Sequence, residues 1–184
     1  MNAGIIASRY AKAFLKYVQE NGAGNDVYSQ ACVLVRHMNE LPRLKEYIQD
    51  ASDVSMEKKQ ALMSSALGAP VHASIAHFLK MVTNHRRIEY FPRMLLSFIE
   101  QYRRENNIKV GRIVTASCSD GVRERLEEVF QDKTGAQVHL DEKVDPEIIG
   151  GFIFELEGYR VDGSVNGELK RIRRQLVEKN TRIV

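Results

Sequence analysis

Five histidines and two cysteines are the residues of this 184-residue chain best suited to metal ligation or nucleophilic catalysis, and their spacing serves neither. His37, His72, His77, His85 and His139 include no pair four apart on a helix face, the arrangement by which two imidazoles grip one metal. Cys32 and Cys118 are too few and too far apart for a disulfide framework or a zinc site. Cys118 with His139 is a conceivable nucleophile and base, but nothing beside the thiol would lower its pKa. The carboxylate pairs Glu127-Glu128 and Asp141-Glu142 diverge, since helical neighbours point about 100° apart and strand neighbours face opposite sides. Phosphate chemistry fares no better. Gly22-Ala23-Gly24 follows a helix instead of a strand and lacks the third glycine of a dinucleotide fingerprint, and no phosphate-cradling Gly-Lys-Ser/Thr loop occurs. Tryptophan is absent, and the aromatic residues fall in helical stripes rather than on strand positions suited to stacking bases. The expectation is a chain that is not an enzyme, with no cofactor and no metal, working through its surfaces.

Composition agrees with a packed globular protein, at 43% hydrophobic and 28% charged residues. No stretch approaches the ~18 consecutive apolar residues of a membrane span, so no direct membrane insertion is expected. The sparse cysteines suit a reducing compartment. The net charge of +3 is unevenly spread: residues 1–105 carry 14 Lys and Arg against 10 Asp and Glu, residues 106–167 carry 7 against 12, and the last 17 carry 6 against 2. A basic tail therefore follows an acidic segment. It would suit phosphates, or equally its own helix dipole and an acidic neighbour. Arg9, Lys12 and Lys16 precede the first acid, as in a mitochondrial presequence, but the single Arg, the scarce Ser and the aromatics Tyr10, Phe14 and Tyr17 favour a permanent packing helix.

The elements that must position these surfaces read in two halves. Up to about residue 105, apolar residues recur at spacings of three and four, which predicts six amphipathic helices. The first runs from Gly4 to Glu20 and stops at Asn21-Gly22; the second follows a cap at Asn25 or Asp26 and carries Val27, Ala31, Leu34, Met38 and Leu41. Pro42 opens a third, Ser55 caps a fourth, and a fifth carries Val71, Ile75, Phe78, Leu79 and Val82. The sixth presents Ile88, Phe91, Leu95, Phe98 and Tyr102. After Asn106-Asn107 the pattern changes to β-branched strands at 109–116, 137–141, 151–156 and 159–161, with a turn at Glu157-Gly158. A helix over 120–133 carries Val122, Leu126, Val129 and Phe130 inward. In a last helix, Leu169, Ile172 and Leu176 are expected inward and Lys170, Arg171 and Arg174 outward. The fold class is thus α+β multidomain: an N-terminal six-helix bundle, 1–105, followed by a small α/β domain, 106–184.

The first helix has more apolar surface than one core contact uses. Arg9, Lys12, Lys16 and Glu20 leave flanks of Ile6, Tyr10, Ala13 and Tyr17 on one side and Ala7, Ala11, Phe14, Leu15 and Val18 on the other. The fifth helix is similar around His77, Lys80 and Asn84. Either other helices cover both flanks or the two helices form a groove for an amphipathic partner helix.

Arg9-Tyr10-Ala11-Lys12-Ala13, Asn84-His85-Arg86-Arg87-Ile88, Val114-Thr115-Ala116, Ile149-Gly150-Gly151-Phe152 and Val161-Asp162-Gly163-Ser164-Val165, with Gly167 and Leu169, together resemble the delta subunit family of F-type ATP synthase, counterpart of the mitochondrial oligomycin-sensitivity-conferring protein. The resemblance spans the chain in order. It implies a non-catalytic stator subunit on the cytoplasmic face of the bacterial plasma membrane. Its helical domain would hold N-terminal segments of the alpha subunit of the catalytic head, with Tyr10, Ala13, Phe14, Phe78 and Met81 lining the groove, and its second domain would hold a b-type stalk subunit. Arg9, Gly150, Gly151, Asp162, Gly163, Ser164 and Gly167 would be structural: a close approach at Gly150-Gly151, a helix-capping turn at Asp162-Gly163-Ser164, and helix-to-sheet packing at Gly167. The reading from another class is a nucleic-acid-associated adaptor using the basic C-terminal helix.

Overall fold

The computed structural model describes residues 3–50, 55–116, 121–156 and 159–181. The turn at Glu157-Gly158, Cys118 and the start of the helix at Asp120 lie outside them, as does the side chain of Leu176. The chain divides into two compact units, Met1–Asn106 and Asn107–Val184.

The first unit contains α1 (Ala3–Glu20), α2 (Gly24–Glu40), α3 (Pro42–Gln49), α4 (Met56–Leu67), α5 (Ala73–Asn84) and α6 (Phe91–Glu105), the last preceded by a 3-10 turn at Ile88–Tyr90. The stripes converge: Ala7, Ala11, Phe14, Leu15 and Val18 of α1 meet Leu34 and Met38 of α2, Ile75, Phe78 and Leu79 of α5, and Phe91, Leu95 and Phe98 of α6 in a buried core. Phe14 stacks on Phe78 at 4.2 Å between centroids and leans on Phe98 at 4.8 Å. Local signals set the ends. Ser55 Oγ accepts from the Lys58 N–H, and Gly68 closes α4 in the left-handed region. Helix α5 begins two residues later than the Val71 stripe predicts, because the His72 ring accepts from the Ser74 N–H and caps it. Helix α2 is capped by no side chain; Asn25 instead accepts from the Tyr102 hydroxyl at 2.8 Å, across to α6. Leu41, expected on the α2 stripe, is exposed at the junction with α3. Lys59 is buried, and its ammonium donates to the Asp50 carbonyl at the end of α3, satisfying both groups and tying α4 to α3.

The second unit contains β1 (Ile108–Thr115), α7 (Val122–Thr134), β2 (Gln137–Val144), a 3-10 turn at Pro146–Ile148, β3 (Phe152–Leu156), β4 (Tyr159–Asp162) and α8 (Val165–Thr181). The strand order is β2-β1-β3-β4, with β1 and β2 parallel through the α7 crossover and the other pairs antiparallel. Its core is small: Ile113, Val138, Leu140, Phe154 and Leu156, with Leu126 and Phe130 of α7 laid against them. Val129 is exposed, contrary to its predicted inward face. The inward turn of α7 also brings Glu127, whose carboxylate accepts from the Leu140 N–H at 2.7 Å and so occupies a backbone donor of the edge strand β2.

Candidate functional site

Helices α1 and α5 of the first unit run antiparallel, joined by three aromatic rungs. Tyr10 Oη and His85 Nδ1 are hydrogen-bonded at 2.9 Å, Phe14 stacks on Phe78, and Tyr17 stacks on His77 at 5.7 Å. Tyr10 and Tyr17 are seven residues apart and His85 and His77 eight, about two helical turns on each element, which is what lets the outer rungs match. Arg87 donates to the same phenol at 3.1 Å and lies over its ring.

This geometry sorts the five expected groove residues. Ala13 is exposed and Tyr10 and Met81 half-buried along the seam, whereas Phe14 and Phe78 are buried in the core and present no surface. They form the floor beneath the seam, not its lining, because their rings satisfy each other and Phe98. The outward rim contains Arg9, Lys16 and Tyr17 from α1 and His77, Lys80 and Asn84 from α5, all exposed. The histidine rungs escaped the sequence reading. Their signal was present in the matched spacing of two tyrosines and two histidines on neighbouring helices.

The second surface is α8. Its apolar stripe faces outward: Val165 is 42% exposed, Leu169 54% and Ile172 49%. The expected inward packing of Leu169 and Ile172 is therefore corrected. Helix α8 packs on the 3-10 turn at Pro146–Ile148 near its start, and β4, the nearest strand in sequence, is exposed throughout. Lys170, Arg171 and Arg174 are exposed as well, so both faces of the helix meet solvent over residues 165–175, where its side chains are described. What fixes α8 is its N-terminus. Ser164, buried, accepts from the Gly167 N–H at 3.0 Å and donates its own hydroxyl and N–H to Asp162 at 2.6 and 3.0 Å. Those hydrogen bonds, the hydroxyl first, hold the Asp162 carboxyl below the usual carboxylate range. A β-carbon at Gly167 would lie 2.8 Å from Oδ1 of Asp162, the last residue of β4, so the glycine leaves room for that carboxylate at the start of α8. Gly151, at φ +77°, passes so close to Gly163 that a β-carbon would sit 2.2 Å from its carbonyl oxygen, and the Gly150 carbonyl accepts from the Val165 N–H at 2.9 Å. The five motif residues from Gly150 to Ser164 thus build one clasp that seats α8.

Among the described residues no group of three metal-ligating side chains converges, and no helix is long and apolar enough to cross a membrane. Cys118, half of the conceivable Cys118–His139 pair, lies outside the described residues.

Residues 6–176 match the family described as ATP synthase delta (OSCP) subunit. The chain belongs to that family. The delta-subunit relatives it resembles include the ATP synthase subunit delta of Phocaeicola vulgatus, 35% identical over 185 residues and covering all of both chains. That of Bacteroides thetaiotaomicron is also 35% identical over full length, and that of Lactobacillus acidophilus is 31% identical, covering 95% of this chain and 96% of its own. The fold of a chain in the Toxoplasma gondii mitochondrial ATP synthase hexamer is similar at a TM-score of 0.58 and 19% identity, covering 93% of this chain and 97% of that one. Membership in the delta (OSCP) family makes the chain a stator subunit of ATP synthase, with partners inside that complex. A nucleic-acid role finds no support in these likenesses.

Proposed function

We propose that the protein is the non-catalytic link between the catalytic head and the membrane-anchored peripheral stalk, its helical unit acting as a six-helix bundle that holds the head and its α/β unit holding the stalk. The head must not turn with the rotor, so the task demands affinity and many contacts and no reactive group. The α1–α5 seam receives an N-terminal segment of the alpha subunit on Tyr10, Ala13 and Met81, over the floor of Phe14 and Phe78. The outward stripe of α8 receives a b-type stalk subunit. The protein sits at the cytoplasmic face of the bacterial plasma membrane through that partner and inserts nothing of its own into the bilayer.

The observation that carries this reading is a pair of exposed helix faces, one on each unit: Ala13 and Tyr17 on α1, and Val165, Leu169 and Ile172 on α8. Co-purification from detergent-solubilised membranes tests it. Wild type is expected to carry both head and stalk subunits, and deletion of residues 107–184 is expected to release the stalk alone. Retention of the stalk by that deletion would overturn the assignment of α8.

A further inference from the structure

On the α5 side of the seam, between His77 and His85, lies a depression of about 280 Å³ lined by His77, Lys80, Met81, Asn84 and His85. Its chemistry is one-sided. Lys80 is a donor only, Asn84 offers an amide N–H, and no carboxylate lines it. Tyr10 Oη, which accepts from Arg87 at 3.1 Å, is hydrogen-bonded to His85 Nδ1 and brings that guanidinium beside the His85 end of the depression. The flanking elements repeat the bias. Helix α5 has no acidic residue, and the only acid of α1, Glu20, lies in its last turn within 3.8 Å of Lys16.

We propose that this depression is a carboxylate subsite: the amphipathic segment docking on α1–α5 carries an Asp or Glu whose side chain enters it, accepting from Lys80 and the Asn84 amide while its apolar face covers Ala13 and Met81. The inference rests on the docking reading above and adds what selects the segment. Apolar contact on the shallow seam supplies affinity to any amphipathic helix; the carboxylate fixes its register, because it must lie opposite Lys80. Lys80 is the specificity-determining residue in this scheme.

The test is calorimetric titration of the full chain with a synthetic peptide of the N-terminal segment of the alpha subunit from the same organism, and with versions in which each Asp or Glu is replaced singly by its amide. One replacement is expected to weaken binding about tenfold, the loss of one charge-assisted hydrogen bond, and the others little. Lys80→Gln, an exposed change that leaves thermal unfolding unaltered, is expected to weaken the native peptide similarly while leaving the sensitive amide peptide unaffected. High salt should narrow the difference between the two peptides. Equal binding of all the amide peptides, or additive losses in the Lys80→Gln cycle, would overturn the subsite while leaving docking intact. Failure of the native peptide to bind wild type at any salt would overturn the docking reading and the subsite with it.

Discussion

The two units treat the same kind of sequence pattern in opposite ways. In the helical unit, stripes spaced three and four apart close on one another until Phe78, Leu79, Phe91, Leu95 and Phe98 are almost wholly sealed. In the α/β unit, Val165, Leu169 and Ile172 repeat at similar spacing and stay outside. Periodicity establishes that residues share a face; whether the chain itself covers that face depends on how many other elements are at hand. Helix α1 lies against α6 and α2 and stacks on α5 through Phe14 and Phe78, whereas a four-stranded sheet with one crossover helix supplies little to lay on α8.

The sharpest way to break this contrast is truncation in each unit. Phe98→Ala should cost the helical unit about 3–5 kcal/mol by urea unfolding, since the ring touches both Phe14 and Tyr102 and the cavity cannot collapse. Next is Ala13→Asp, which should leave unfolding unchanged because the site is exposed, yet weaken capture of an alpha-subunit peptide by roughly 3–5 kcal/mol through an unpaired charge buried on docking. A matching loss of stability would mean that Ala13 belongs to the core. Gly151→Ala should destabilise the α/β unit by more than the ~1–2 kcal/mol of a left-handed residue with a β-carbon, given the clash with Gly163, and should loosen α8 as read by hydrogen exchange. Leu169→Ala should change stability by less than about 0.5 kcal/mol while lowering retention of the stalk subunit, the reverse of a core truncation. The smallest effect concerns acid. The depressed Asp162 carboxyl contributes stability that is fully present above its unfolded value near ~4 and is lost as pH falls through its lower folded value. Asp162→Asn should remove that dependence, visible as convergence of the two proteins' urea midpoints at low pH.

Much of the fold was legible because the decisive signals are local. Val27, Ala31, Leu34 and Met38 lie on one helical face and all are buried; Ser55, Gly68 and Gly135 end helices for reasons contained in a few residues. What escaped was whatever depends on two elements at once. Phe14 and Phe78 share stripes with the seam residues, and only the packing of α1 on α5 tells floor from lining. The His77 and His85 rungs require the antiparallel register of those helices, which neither encodes alone. Gly167 was legible as a packing glycine, but the Asp162 carboxylate at the end of β4 for which it makes room was not. The clasp was legible as a turn and a close approach, but not as the support of a helix with an open apolar face.

Helix α1 lies against α6, the last helix of its unit; Gln101 donates to the Ser8 carbonyl and Gln19 to Glu105, contacts separated by 93 and 86 residues. On the ribosome, then, α1 is made long before its main partner α6. Closing so long a loop adds an entropic cost that grows only slowly with length, but the wait is set by synthesis, roughly 4–17 s for this span at ~5–20 residues per second. Throughout that interval Ala7, Ala11, Phe14, Leu15 and Val18 lack their α6 partners, which makes nascent α1 a natural client for a chaperone at the exit tunnel until Glu105 has emerged.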